Sequence, residues 1–255
     1  MGISWMKTGA ESAKMAQQAE VEQQQQQDQK GKLWRFYLKD KEEARITFID
    51  GEVSHDGHLI PPRYYEHSLE LNGKWGNFFV CPEKTMPEAG HKCPICASGN
   101  KPSLVALFTI IDHREVKTKK GAIIKDQKRL LVAKSVTMEM LTKIAVKRGG
   151  LAGCTFDVSR MGENSAAVGS MFDFVEKNPL ELLQNTFKVE IEENGQKKMV
   201  TIFTPADYEQ EISFKTPEEL LSLGLGASKA GGYGNYGGQM NPGGNQGTTD
   251  YSKSL

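Results

Sequence analysis

Between its two ends the chain sets apolar against polar residues mostly with a period of two, the spacing of half-buried strands. Leu33 to Lys39 alternates Trp34, Phe36 and Leu38 with Arg35, Tyr37 and Lys39. Glu43 to Ile49 follows and runs into the turn Asp50-Gly51. Tyr64 to Leu71 and Lys74 to Val80 flank Asn72-Gly73, and Phe187 to Glu192 and Lys198 to Phe203 flank Asn194-Gly195. Asn-Gly between two apolar runs is a strong hairpin signal. Leu104 to Asp112 is a long apolar run that predicts a central strand, and Arg129 to Lys134 predicts another. Phe156 to Arg160 and Met171 to Glu176 predict a hairpin across Gly162 to Gly169.

Helices are few. Val136 to Arg148 carries Met138, Leu141, Ile144 and Ala145 on one side and Lys143 and Lys147 on another, and stops at Gly149-Gly150. Asn178-Pro179-Leu180-Glu181 and Thr216-Pro217-Glu218-Glu219 both read as capping boxes with Pro at the first helical position, opening short acidic helices. Many short strands with one internal helix predict a mainly β fold. The natural candidate is an oligonucleotide-binding Greek-key barrel with a hairpin insertion and a few short helices.

Composition bounds this picture. Residues 1–31 are rich in Gln, with five in a row from Gln23, and read as a frayed helix or a flexible arm. Residues 227–255 are rich in Gly, Asn and Tyr and read as a disordered tail. One folded unit is expected over 32–226, with a hairpin subdomain at about 64–100 and an acidic C-terminal part over 161–226. The net charge of zero conceals an asymmetry. From Lys32 to Arg160 there are 22 Lys and Arg against 15 Asp and Glu, a balance of +7; from Met161 to Gly226 there are 5 against 12, a balance of −7. A basic body followed by an acidic segment suits a protein that holds a polyanion and limits that hold. No basic stretch leads into an apolar run at the N-terminus, so no signal peptide is expected, and no apolar run is long enough to span a membrane.

The most specific chemistry lies between His67 and Cys96. Three of the four cysteines, Cys81, Cys93 and Cys96, fall within 16 residues, and two of them form Cys93-Pro-Ile-Cys96. This spacing suits a tetrahedral zinc ion in a reducing compartment better than a disulfide framework. The fourth donor is contested between two histidines. His91 stands one residue from Cys93 and crowds a single turn, whereas a hairpin at Asn72-Gly73 brings His67 beside Cys81 without strain. His67 is therefore preferred, with His91 the alternative. A redox dithiol would need neither the third cysteine nor the histidines. Four protein donors leave no open position, so the zinc is expected to be structural. Neither histidine begins the His-x-Glu of the zinc deaminases, and no Walker loop, Gly-x-Ser-x-Gly or paired-carboxylate motif occurs.

Around this site basic and aromatic residues interleave, as single-strand binding requires: every base offers a face to stack and every phosphate a charge. Arg35, Tyr37 and Lys39 share one face of the first predicted strand. Arg45, Arg63, Tyr65, Lys74 and Trp75 are candidate continuations, and Lys117, Lys119, Lys120, Lys125, Lys128, Arg129 and Lys134 form a basic loop and strand. Trp34, Phe36, Phe48 and Phe108 are read as core.

With these residues in view the chain resembles the zinc-containing, helix-destabilising single-stranded DNA-binding proteins of tailed bacteriophages. The resemblance rests on the order His67, Cys81, Cys93-Pro-Ile-Cys96, on Trp34-Arg-Phe-Tyr, on Glu43-Ala-Arg-Ile-Thr-Phe-Ile-Asp-Gly51 and on Pro94-Ile-Cys-Ala-Ser-Gly-Asn-Lys-Pro-Ser103, and covers residues 32–176. It implies an oligonucleotide-binding fold with structural zinc on one His and three Cys. It also implies a non-enzymatic, sequence-independent coat on single strands during replication, recombination and repair in the cytoplasm of the infected bacterium. Such proteins polymerise through an N-terminal arm and recruit partners through an acidic tail. Here the arm is Gln-rich and the final tail nearly uncharged, so the acidic role would fall to residues 161–226. The competing readings are a zinc-dependent nuclease or recombination hydrolase and an adaptor that uses the zinc hairpin to bind a protein.

Overall fold

The computed structural model describes residues 7–13, 15–16, 19, 31–71, 74–117, 121–193 and 196–226, with the side chains of residues 74, 75, 191–193 and 196 outside that description. The expected tail over 227–255 and most of the expected Gln-rich arm therefore lie outside the described residues.

Among the described residues seven strands form one antiparallel sheet. They are β1 (Glu43–Phe48), β2 (Arg63–Leu71), β3 (Lys74–Val80), β4 (Ser103–Asp112), β7 (Gln127–Lys134), β8 (Cys154–Ser159) and β9 (Met171–Lys177). Their order is β3-β2-β4-β1-β8-β9, with β7 also paired to β4. β5 (Val116–Lys117) with β6 (Ile123–Ile124), and β10 (Lys188–Glu193) with β11 (Gln196–Thr201), make two separate ribbons. Two single helical turns, α1 (Pro82–Thr85) and α2 (Pro94–Ala97), lie between β3 and β4. β4 organises the sheet. One edge pairs with β7 from Val105 to Asp112, while the other is shared by β2 at Ser103–Ala106 and β1 at Ile110–Asp112. Its last eight residues are all buried, which explains why this strand reads as an apolar run and not as an alternation.

The main core lies between the sheet and α3 (Ser135–Arg148), which buries Leu141 and Ala145, one turn apart. Phe48 meets Phe108 and Phe156 edge-on, each with ring centroids 5.7 Å apart, the arrangement aromatic quadrupoles favour. α3 ends where Gly149 takes a left-handed conformation, as the paired glycines predict. At the Asp50-Gly51 turn, Gly51 has φ of +107°, and a Cβ there would come within 2.9 Å of Leu151. The turn therefore requires glycine. All three predicted hairpins form: β2 with β3, β8 with β9 and β10 with β11.

Two local expectations are corrected. Leu33 to Lys39 is extended but is not a strand of the sheet. Among the described residues its one bridge is Arg35 beside Leu130, with Phe36 N donating to Leu130 O and Leu130 N to Trp34 O. Phe36 and Leu38 are buried as the alternation predicts, yet Trp34 is 69% exposed and is not core. The bridge to β7 comes at the start of the segment, so Trp34 lies at the margin of the packed layer. The second correction concerns Asn178, which does not cap the next helix, α4 (Leu180–Thr186). Its backbone N–H instead donates to Gly153 O, extending the course of β9 and leaving Pro179 at the cap. The other box does form. Thr216 Oγ1 accepts from Glu219 N and Glu219 Oε2 from Thr216 N at the start of α6 (Pro217–Ser222), which follows the single turn α5 (Tyr208–Glu211).

Candidate metal centre and nucleic-acid interface

The β2–β3 hairpin has two working faces. Because side chains alternate along a strand, Tyr65, His67 and Leu69 face one way while Tyr64, Glu66 and Ser68 face the other. On the first face His67 stands opposite Phe79, and Cys81 follows the end of β3 as N-cap of α1. Cys93 is the N-cap of α2, whose single turn carries Cys96 back toward it. The donor atoms of His67, Cys81, Cys93 and Cys96 all lie within 4.8 Å of one another, a group able to hold a metal ion. Cys93 Sγ is 3.3 Å and Cys96 Sγ 3.6 Å from His67 Nε2, and Cys81 Sγ is 3.6 Å from Cys96 Sγ. His67, not His91, is the histidine of this group.

Surrounding groups orient the donors. Asn100 Oδ1 lies 2.7 Å from His67 Nδ1, which fixes the proton on that nitrogen and turns the Nε2 lone pair toward the thiols. Cys93 N donates to Glu83 Oε2 at 2.9 Å, and this bond holds the Glu83 carboxyl below its ordinary pKa. Burial lowers the pKa of His67, while burial and the neighbouring thiols raise those of Cys93 and Cys96. Thiolates in such a pocket need a cation to offset their charge. The outer wall comes from far along the chain. Leu220 of α6 and Leu225 are buried with Phe79, Cys81, Cys93 and Ile95. Gly226 has φ of +102°, and a Cβ there would sit 2.4 Å from Pro94 Cβ, so only glycine lets the chain pass this close. Part of the acidic segment therefore completes the wall around the cysteines.

On the opposite face a groove of 290 Å³ runs between residues 32–35, residues 76–80 of β3 and residues 211–215. Trp34 and Phe78, both exposed, line it, with Lys32, Arg35 and Lys215 among the cations and Glu66 and Glu211 among the acids. The Arg35 guanidinium lies 3.7 Å from the Phe78 ring centroid. It also donates to Glu66 Oε1 at 3.0 Å and to Tyr64 OH at 3.3 Å. Glu66 is buried, so this pair is a fixed part of the groove floor. Glu211 Oε2 accepts from Leu33 N at 2.7 Å, and Lys32 Nζ donates to Ser213 Oγ, so the segment after α5 is tied across one end of the groove.

The other candidates scatter. Tyr37 and Lys39 are exposed further along the same segment, Tyr37 with Arg160 6.0 Å from its ring centroid. Arg45 is paired bidentately with Asp157 at 2.8 Å. Arg63 lines a different groove beside α3, and Tyr65 packs against the buried cluster of Phe79, Cys81 and Cys93. Lys128 approaches Thr204 Oγ1 at 3.3 Å with its pKa lowered by burial, and Arg129, likewise lowered by burial, donates to Gln127 Oε1. Lys134 is exposed at the N-cap of α3, and Lys117 and Lys125 are exposed near the β5–β6 ribbon. The side chains of Lys74 and Trp75, and residues Lys119 and Lys120, lie outside the described residues. Phe78, Lys32, Lys215 and Asn100 were not assigned a role from their sequence positions, and Trp34 was assigned to the core, not to a groove. Trp34 had a signal in its place at the polar end of its run, beside Lys32.

No protein-family model matches this chain, and no curated protein matches it. Among the described residues no helix is long and apolar enough to cross a membrane.

Proposed function

We propose that the protein is a sequence-independent, non-enzymatic single-stranded DNA-binding protein with a structural Zn²⁺, acting in phage DNA replication, recombination and repair. The observation that carries this reading is the groove where exposed Trp34 and Phe78 stand among lysines on the back of the hairpin that bears the cluster of one histidine and three cysteines. Bases stack on such aromatics whatever their sequence, and the cations track the backbone. Zinc is supported by the donor set. A tetrahedral zinc with ordinary bond lengths separates two sulfurs by about 3.8 Å and a sulfur from a nitrogen by about 3.5 Å. The observed 3.6 Å and 3.3–3.6 Å are close to both. Four protein donors leave no position for a reacting water, which favours a structural ion over a catalytic one.

An oligonucleotide-binding barrel is supported by the backbone of residues 34–41. It bonds to β7 at Leu130 on one side and, through Leu38 N to Ala167 O and Lys41 N to Arg160 O, to the β8–β9 region on the other. Those bonds draw the two flanks of the sheet together, as a closing barrel requires. The acidic segment after Met161 has two roles in this reading. Leu220 and Leu225 buttress the metal centre, while Glu211 holds the groove's end and competes there with phosphate. Its exposed carboxylates are the surface for replication or recombination partners. The test is a titration with fluorescent dT and dA oligomers, single and double stranded, at two salt concentrations. Salt-sensitive binding to both single strands without turnover is the expected result. Strand cleavage, or equal affinity for duplex, overturns the proposal.

A further inference from the structure

The hairpin of β4 and β7 does not end with the sheet. Beyond the pair Asp112 and Gln127 it continues as the β5–β6 ribbon, where Val116 stands opposite Ile124 and Lys117 opposite Ile123. The base of this ribbon is firmly held. Asp126 takes a left-handed φ of +55°, which Asp tolerates better than most residues, and its Oδ1 lies 2.6 Å from His113 Nδ1. His113 Nε2 in turn lies 2.8 Å from the buried Thr47 Oγ1. Arg114 donates to both oxygens of Asp112 and, at 2.6 Å, to Glu42 Oε1. The ribbon itself is bare on both faces: Ile123 is 66%, Ile124 45% and Val116 37% exposed. Two strands alone are marginal in water. A ribbon with a fixed base and apolar residues on both faces calls for a partner that takes it from both sides.

The chemistry of the ribbon names that partner. Lys117 shares a face with Ile123, and Lys125 follows Ile124. Both lysines are exposed, and among the described residues neither forms an ion pair. Unpaired cations beside exposed apolar side chains suit a polyanion with an apolar interior. Stacking on a free single strand uses aromatic faces, and residues 115–126 contain no aromatic residue. Aliphatic wedges act on duplexes instead, entering between base steps, and a two-stranded ribbon fits a duplex groove. Position agrees with this. Leu130 of β7 lines the aromatic groove, and Ile124 lies six residues before it, at most about 20 Å along the backbone. The ribbon therefore meets nucleic acid just outside the groove.

We infer that the β5–β6 ribbon seats Ile123 in the first base step of the duplex, at the junction where a single strand held in the aromatic groove becomes double stranded; this rests on the single-strand reading above. The full-length chain is titrated with a dT strand of about 12 nucleotides, within the span one such fold covers, with the same strand as a 5′ or a 3′ overhang on a hairpin duplex, and with the blunt hairpin. The junction of at least one polarity binds about tenfold more tightly than the free dT strand, and the blunt hairpin binds most weakly. Ile123→Ala, at an exposed position that tolerates substitution, abolishes that gain and changes affinity for the free dT strand by less than about twofold, while Ile123→Leu retains the gain. The fluorescence of 2-aminopurine in the terminal base pair rises with wild type and not with Ile123→Ala, as unstacking of that step requires. No gain at either polarity, a gain that survives Ile123→Ala, or an equal loss on the free dT strand overturns the inference. If wild type does not bind the free dT strand, the single-strand reading itself has failed. The junctions and the blunt hairpin then decide: binding that Ile123→Ala weakens upholds the ribbon as a duplex contact, and any other result refutes it.

Discussion

Removing the Glu66 carboxylate should damage the protein far more than removing the pair it forms. The Glu66 side chain is 3% exposed, and its oxygens take two hydrogen bonds from Arg35 and one from Tyr64. In Glu66→Leu the Arg35 guanidinium keeps its place against Phe78 with no counter-charge. Breaking a buried ion pair from one side costs about 3–5 kcal/mol. Arg35 retains a quarter of its side-chain exposure and can recover some water, so we expect about 2–4 kcal/mol. The double variant Arg35→Met with Glu66→Leu should return to within about 1 kcal/mol of wild type, because two apolar side chains need no partner. Urea denaturation at unchanged m value reads both. The same double variant tests the groove. A cation that contacts a single-strand phosphate contributes about 0.7 to the slope of log affinity against log salt. Arg35 is already neutralised by Glu66, so the slope of the double variant should equal that of wild type even where loss of the Phe78 contact lowers affinity. A cost below about 1 kcal/mol for Glu66→Leu, or a slope shallower by about 0.7 in the double variant, would refute the assignment of Arg35 to the floor of the groove.

Other outcomes follow from the same geometry. Cys93→Ser should lose bound zinc in metal analysis and unfold at lower urea, since binding energy at such a site is largely folding energy; His67→Ala should do the same and His91→Ala should not. Asp50 is buried, and burial raises its pKa to about 6 against the bonds it accepts from Tyr208 and Thr109. A raised carboxyl pKa means the folded state holds the proton more tightly, so stability should fall as pH rises from about 4 to about 6, by up to about 3 kcal/mol; Asp50→Asn should be flatter over that window, and parallel curves would contradict this. Changing Glu209, Glu211, Glu218 and Glu219 together to Gln should tighten single-strand binding at low salt, with the gap closing as salt rises, whereas unchanged affinity at every salt concentration and unchanged partner capture would leave those residues a purely structural role.

The clustering of His67, Cys81, Cys93 and Cys96 was legible because these residues carry their own spacing. Cys93 and Cys96 sit in one turn, and the Asn72-Gly73 hairpin fixes which histidine reaches Cys81. Strands with clear alternation, and α3 with its terminal glycines, were legible for the same local reason. The groove was not, because three segments far apart in the chain build it, and alternation cannot say which of them meet. Trp34 obeys the same period as Phe36 and Leu38 yet lies at the margin of the layer they fill. Arg35 looked like a free cation because Glu66, which binds it, lies 31 residues away. The acidic segment looked like a surface because its charges are visible in sequence, whereas the burial of Leu220 and Leu225 against the cysteines depends on tertiary packing.

The central claim is that the Trp34–Phe78 groove holds single strands by stacking. Titrating wild type, Trp34→Ala and Phe78→Ala with dT oligomers and with duplex of equal length tests it most directly. The account predicts that wild type prefers the single strand, that each variant loses about 1–3 kcal/mol of single-strand affinity, and that the salt slope is unchanged in both. Wild-type affinity in both variants, or no preference for single over double strands, would contradict it.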